Sequence, residues 1–254
     1  MIKSVQKATM LLSILADQYE QPVSLAELSE KSGLNKSTCS HIMSTLENEG
    51  FAVKISHTRG YVLGPAAYCL SRFGRYKNSF ISVCRPIMQY LHRNSGYSVV
   101  LAVIEGDTKY IIDYIDDGTI FETKTKIRKD DIYRTATGRA ILMNLSEEQR
   151  NAIFKKYGKP SQSEWPEILH LLDVSSYTQQ KCDDVFKSCI VTNEDNTVNL
   201  GYGTALFSGH SCVGAIGIAV NIPCEREKSF GEEENKIIKL IERGAKEINR
   251  RLEW

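Results

Sequence analysis

A chain of 254 residues, 42% apolar and 25% charged, has the composition of a folded globular protein. At about 100 to 200 residues per domain it holds one large domain or two of ordinary size, and at least one well-buried core is expected, the composition not being that of a disordered chain. A net charge of +1 excludes a polycation, so affinity for nucleic acid has to come from local placement of charge. The longest weakly polar stretch, Cys212 to Pro223, falls short of the roughly 18 residues a spanning helix needs. Met1-Ile2-Lys3-Ser4 opens no signal peptide, so a cytoplasmic chain without membrane contact is expected.

The first element is a helix carrying Val5, Ala8, Leu12, Leu15 and Ala16 at helical spacing and stopping before Gln21-Pro22. Ser24 followed by Glu27 is a capping-box pattern, and a short second helix runs from there to about Ser32 on Leu25 and Leu28. Gly33 ends it, and Asn35 can cap a third helix. In that helix Cys39, Ile42, Met43 and Leu46 form one apolar face until Gly50. Two strand-like runs, 51–55 and 61–63, flank the polar turn 56–60 and read as a hairpin wing. Pro65 then starts a linking helix carrying Ala66, Leu70 and Phe73.

A second domain is expected from Ser79, opening on a helix through His92 and a hairpin of residues 99–104 and 110–115. Helical stretches follow near 138–144 and 146–157, then strands near Ile190, Ala205 and 213–220. The last helix begins after Gly231, with Glu232 to Glu234 at its positive dipole end, and runs on Ile237, Ile241, Ile248 and Leu252. The division is thus 1–64 for the winged helix, 65–78 for the linking helix and 79–254 for the second domain, an α+β chain overall.

Three short helices and a wing, with a tight turn between the second and third helices, is how a helix-turn-helix presents a recognition helix to the major groove. The polar face of the third helix fits that use. Lys36 can neutralise a phosphate, the hydroxyls of Ser37, Thr38, Ser40 and Ser44 can donate to phosphates or base edges, and His41 can donate to an acceptor such as guanine N7. Lys54, His57 and Arg59 on the wing would add phosphate or minor-groove contacts. A solvated surface helix normally alternates acids with bases, yet this face carries no acid until Glu47.

The run from Ser24 to Phe51, followed by Tyr61-Val-Leu-Gly64, resembles the DNA-binding half of the isocitrate lyase regulator (IclR) family. Arg85-Pro86, residues 99–106, Thr135-Ala-Thr-Gly-Arg-Ala140, residues 145–149 and Gly214-Ala-Ile-Gly-Ile218 resemble later landmarks of the same family. The resemblance implies a GAF-like α/β effector domain, homodimers or dimers of dimers, and repression or activation of a catabolic operon in response to a metabolite, with a repressor the expected reading. It places ligand-holding backbone amides at Ala136 and Thr137 ahead of Gly138-Arg139. An acidic contact falls near Thr192, a cysteine contact on Tyr202, and two hydroxyl contacts on Gly217 and Ala219. Loss of those hydroxyls implies a roomier pocket for a larger metabolite, such as a sugar derivative or an organic acid, with Arg134 or Thr137 meeting its polar end; a vestigial pocket is the other reading.

Other classes find less support. His92, His170 and His210 have no spacing that builds a catalytic site, and no nucleophile elbow, HExxH, P-loop or GxGxxG occurs. The seven cysteines, at 39, 69, 84, 182, 189, 212 and 224, form no CxxC pair and have no histidine at zinc-finger spacing. Reduced thiols, with no metal and no cofactor, are expected. A thiol sensor built on Cys182 and Cys189 would have only Lys181 and Lys187 as cationic neighbours. A winged helix used only for protein contact is the remaining alternative.

Overall fold

The computed structural model describes residues 2–18, 21–56, 60–71, 80–116, 131–166, 184–192 and 196–252. Two compact units meet in the chain between Asn78 and Ser79.

The first unit is built on α1 (Lys3–Ala16), α2 (Leu25–Ser32) and α3 (Lys36–Asn48), followed by the antiparallel pair β1 (Ala52–Ser56) and β2 (Gly60–Leu63) and the short α4 (Pro65–Ser71). Its core joins Leu11, Ile14, Leu15, Val23, Leu28, Cys39, Met43 and Leu46. The α1 stripe is rotated from the sequence expectation: Leu11, Ile14 and Leu15 are buried whereas Val5 is 56% exposed. Adjacent leucines at 11 and 12 offer two overlapping stripes, and packing against α2 and α3 selects the one centred on Leu11. Residues 57–59 lie outside the described residues, and so do the expected wing contacts His57 and Arg59. Phe73 of the linking helix does too, and Leu70 is 71% exposed.

The second unit centres on a five-stranded antiparallel sheet in the order β4-β3-β7-β6-β5, made of β3 (Ser98–Glu105), β4 (Thr108–Ile115), β5 (Phe186–Thr192), β6 (Thr197–Ser208) and β7 (Ser211–Pro223). Helix α5 (Ser82–Ser95) packs with α9 (Gly231–Leu252), where Gly244 admits the side chain of Leu91. A methyl group at Gly244 would stand 3.0 Å from Leu91 Cδ2. The short α6 (Asp131–Arg134) leads into α7 (Ala136–Met143), which lies on the glycines of β6 and β7, and α8 (Glu147–Tyr157) follows. Around α7 a core forms from Ala140, Ile141, Leu142, Met143, Ile153, Trp165 and Phe186. No described helix is long and apolar enough to cross a membrane.

Candidate nucleic-acid interface and effector cradle

The turn between α2 and α3 is fixed by hydrogen bonds written into the sequence. Ser24 and Glu27 form the reciprocal capping box, at 2.8 and 3.2 Å, and Ser24 holds the Glu27 carboxyl below its ordinary pKa. Gly33 adopts φ 69°, the left-handed conformation that lets the chain reverse after α2. Asn35 Oδ1 then accepts from the Thr38 amide at 2.8 Å, while Ser29 and Ser32 donate to the carbonyls of Leu34 and Leu28.

Cys39, Met43 and Leu46 are buried, Ile42 packs partly buried beside them, and the polar side of α3 faces outward. Lys36, Ser37, Ser40, His41 and Ser44 are exposed and Thr38 is half-buried, so the polar residues expected from the sequence share one surface. Thr45, absent from the sequence expectation, is exposed beside them, its hydroxyl donating to the His41 carbonyl at 3.1 Å. Spacing alone assigned it to neither face. On the wing, Lys54 is half-buried with Nζ 5.6 Å from the centre of the Tyr61 ring, which orients the ammonium.

The wing is locked to the segment before α2. Val23 and Tyr61 exchange two backbone hydrogen bonds of 2.8 and 2.9 Å. Gly60 has φ 93°, and a methyl group there would stand 2.2 Å from the Val23 carbonyl oxygen. Gly60→Ala is therefore expected to cost about 3 kcal/mol or more and to unfold the wing, read as loss of the first unit's thermal transition at physiological temperature.

In the second unit α7 begins on the sheet. Thr135 caps it, its hydroxyl accepting from the Gly138 amide at 3.2 Å, and the amides of Ala136 and Thr137 sit at the positive end of the helix. The register β3-β7-β6-β5 sets Val100, Gly217, Gly203 and Phe186 in one row and Ser98, Ala219, Gly201 and Ser188 in the next. Small residues let α7 descend onto the strands: a methyl group at Gly203 would lie 2.7 Å from Thr137 N, and one at Gly217 would lie 2.6 Å from Thr137 Cγ2.

The space left by an absent hydroxyl at Gly217 is thus filled by the Thr137 methyl, which corrects the expectation of a roomier pocket at that position. Ala136, Thr137, Gly138 and Gly217 are brought together, with Ala219 one row along from Gly217. Tyr202 is not among them. It belongs to the alternate set of β6 residues, where burial and the neighbouring Glu234 carboxylate push its hydroxyl pKa up and Lys187 Nζ lies 5.9 Å from its ring. Strand alternation explains the separation, because Gly201 and Gly203 face α7 and Tyr202 between them faces away. Arg134 is exposed on α6, and Thr192 pairs in backbone with Thr197 while its side chain lies outside the described residues.

Three polar groups beside this cradle escaped the sequence reading. Lys109 is only 6% exposed, and its ammonium donates to Thr135 Oγ1 at 2.7 Å. Ser98 donates to Asp116 at 3.0 Å in the row of Ala219. Asn199 Oδ1 is buried and has no hydrogen-bond partner among the described residues. The inward position of Lys109 was legible in its alternation with Ile111, but a lysine in a strand is ordinarily assigned to solvent. The described cysteines, 39, 69, 84, 189, 212 and 224, are free thiols, and burial pushes the Cys84 thiol up to about 12. No group of three or more metal-ligating side chains occurs among the described residues.

A winged helix-turn-helix whose third helix shows no acid before Glu47, followed in the chain by an α/β domain, is the architecture of a DNA-binding transcriptional regulator with an effector-binding domain. Residues 4–56 match the IclR helix-turn-helix domain and residues 77–164 match the bacterial transcriptional regulator IclR C-terminal domain. The chain belongs to the IclR family. It is 24% identical to the acetate operon repressor of Salmonella typhimurium over 185 residues, 71% of this chain and 67% of that one. To the transcriptional repressor IclR of Escherichia coli it is 24% identical over 160 residues, 62% of this chain and 58% of that one. The matched stretch therefore spans two thirds or less of these relatives' length. Among solved structures, an IclR homologue complexed with 4-hydroxybenzoate from Microbacterium hydrocarbonoxydans shares the fold at TM-score 0.62 and 12% identity, covering 96% of this chain and 98% of that one.

Proposed function

We propose that this chain is a cytoplasmic, homo-oligomeric repressor of a catabolic operon, which reads a near-palindromic operator through α3 and releases or grips it in response to a small metabolite. The observation that carries the reading is the exposed face of α3, where one lysine, one histidine and four hydroxyl residues lie together with no acid before Glu47. Lys36 and the hydroxyls of Ser37 and Thr38 sit at the N-terminal end of α3, the end that enters the groove in this architecture. Ser40, His41 and Ser44 follow one and two turns along. Lys54, His57 and Arg59 serve the flanking phosphates or the minor groove. Two such helices in a dimer would engage half-sites about 34 Å apart, or a multiple of that.

Residues 1–64 would then hold the DNA, 65–78 would connect, and 79–254 would bind the effector and pair the subunits. The effector would lie beside Ala219 and the first turn of α7, where the amides of Ala136 and Thr137, with Gly138 behind them, favour an anionic group. Buried Lys109, at the Thr135 cap, adds positive potential. This favours a small organic acid over a sugar derivative, in keeping with the 4-hydroxybenzoate held by the Microbacterium homologue. Ligand binding shifts DNA affinity only by as much as the effector distinguishes the two arrangements of the oligomer.

Selection from a pool of random duplexes by the purified chain tests the reading. A near-palindromic motif should be enriched, and His41→Ala should relax preference at one base pair per half-site, a loss of about 1–3 kcal/mol of discrimination. Enrichment of no motif would leave the winged helix as a protein-contact module.

A further inference from the structure

Within the second unit, α5 and α9 cross tightly where Gly244 admits Leu91 and part toward the start of α9. Between them is a groove of about 580 Å³ with Ile237 and Leu240 among its lining, Tyr90 and Tyr97 on the α5 side, and Glu232, Glu233, Lys236 and Arg243 along α9. Its volume suits a small ligand, but it is open and mostly polar, and a small ligand there would keep much of its surface in water.

Its charges are arranged for a protein surface. Glu233 is engaged by the Tyr97 hydroxyl at 2.6 Å and by Arg226 at 3.7 Å. Glu232, Lys236 and Arg243 are exposed and have no ion-pair partner among the described residues. Tyr90, 51% exposed, and Arg243 are the residue types that carry binding energy at interfaces.

We infer that this groove is a twofold interface with a second copy of the same chain, with α9 antiparallel to the partner's α9. The acids at 232 and 233 stand about 16 Å along the helix from Arg243, at 1.5 Å per residue. A twofold axis at the level of residue 238 therefore sets Glu232 of one subunit against Arg243 of the other, and the same pair recurs on the opposite side. The stem of each Lys236 then lies over the other subunit's Leu240, and Tyr90 closes the rim. Self-complementarity of this kind is what an isologous contact requires. Because α5 is the first helix of the effector domain, the contact would grip the element nearest in the chain to the connecting segment 65–78. The inference rests on the homo-oligomeric part of the proposed function.

Charge reversal on the full chain tests it. Glu232→Arg and Arg243→Glu each place like charges together twice per interface, so each should weaken self-association, measured by sedimentation equilibrium, by about tenfold or more. The double variant restores opposite charges and should return to within about threefold of the wild type. Single variants that associate like the wild type, or a double variant as weak as the singles, would overturn the pairing. Circular dichroism confirms folding of each variant, and anisotropy on the selected duplex reports DNA binding separately, so failure of the interface is distinguishable from failure of the regulator reading.

Discussion

Arg139→Met is expected to lower the stability of the effector domain by about 3–5 kcal/mol, a fall of roughly 10 °C in its melting temperature. Arg139 is 5% exposed, and its guanidinium donates to three carbonyls from separate parts of the chain. Nε reaches Tyr133 O at 2.7 Å, Nη1 reaches Lys187 O at 2.5 Å and Nη2 reaches Glu164 O at 2.6 Å, with the Trp165 ring centre 5.0 Å away. One side chain therefore ties the approach to α7, the edge strand β5 and the turn after α8. Methionine would keep the volume and leave buried acceptors unsatisfied. Lysine would keep the charge, but its single nitrogen cannot serve three diverging carbonyls, so Arg139→Lys should recover less than half of the loss in a calorimetric scan. Recovery of full stability by lysine would show that charge alone, not the planar fork, matters there.

The second large effect is expected at the glycines under α7. Gly203→Ala sets a methyl group 2.7 Å from the backbone of Ala136 and Thr137, which cannot rotate away, so the helix must lift from the sheet at a cost of about 3 kcal/mol. At Gly217 the obstacle is the Thr137 methyl, which a second substitution can remove. Gly217→Ala should cost about 1–3 kcal/mol alone and markedly less in combination with Thr137→Ala, a coupling that a double-mutant cycle in urea measures. The same Thr137→Ala change should leave Gly203→Ala unimproved. Equal behaviour at the two glycines would contradict the seating of α7 described above.

How much of this was legible in the sequence depended on whether a signal was local. The capping box of Ser24 and Glu27, the left-handed turn at Gly33 and the Asn35 cap are short-range hydrogen-bond patterns, and the α2–α3 turn was readable to within a residue. The α3 face was equally readable, because Cys39, Met43 and Leu46 define one stripe. At α1, by contrast, leucines at 11 and 12 offered two stripes and only tertiary packing chose between them. The effector cradle depended on register between strands far apart in the chain. Gly217 is placed opposite Gly203 and beneath Thr137 by pairing that no local pattern encodes, and the alternation that turns Tyr202 away from α7 is visible only once β6 is aligned to β7. Lys109 was missed for a different reason: a buried ammonium is rare enough that strand alternation alone was a weak warrant for it.

The central claim, that α3 contacts DNA, is tested most directly by the salt dependence of binding to the selected duplex for the wild type and Lys36→Ala. Each phosphate neutralised contributes about 0.9 to the slope of log affinity against log salt. With one Lys36 per half-site, the variant of a dimer should bind more weakly and show a slope shallower by about two. An unchanged slope and affinity would mean that Lys36 faces no phosphate, and would contradict the placement of α3 in the major groove.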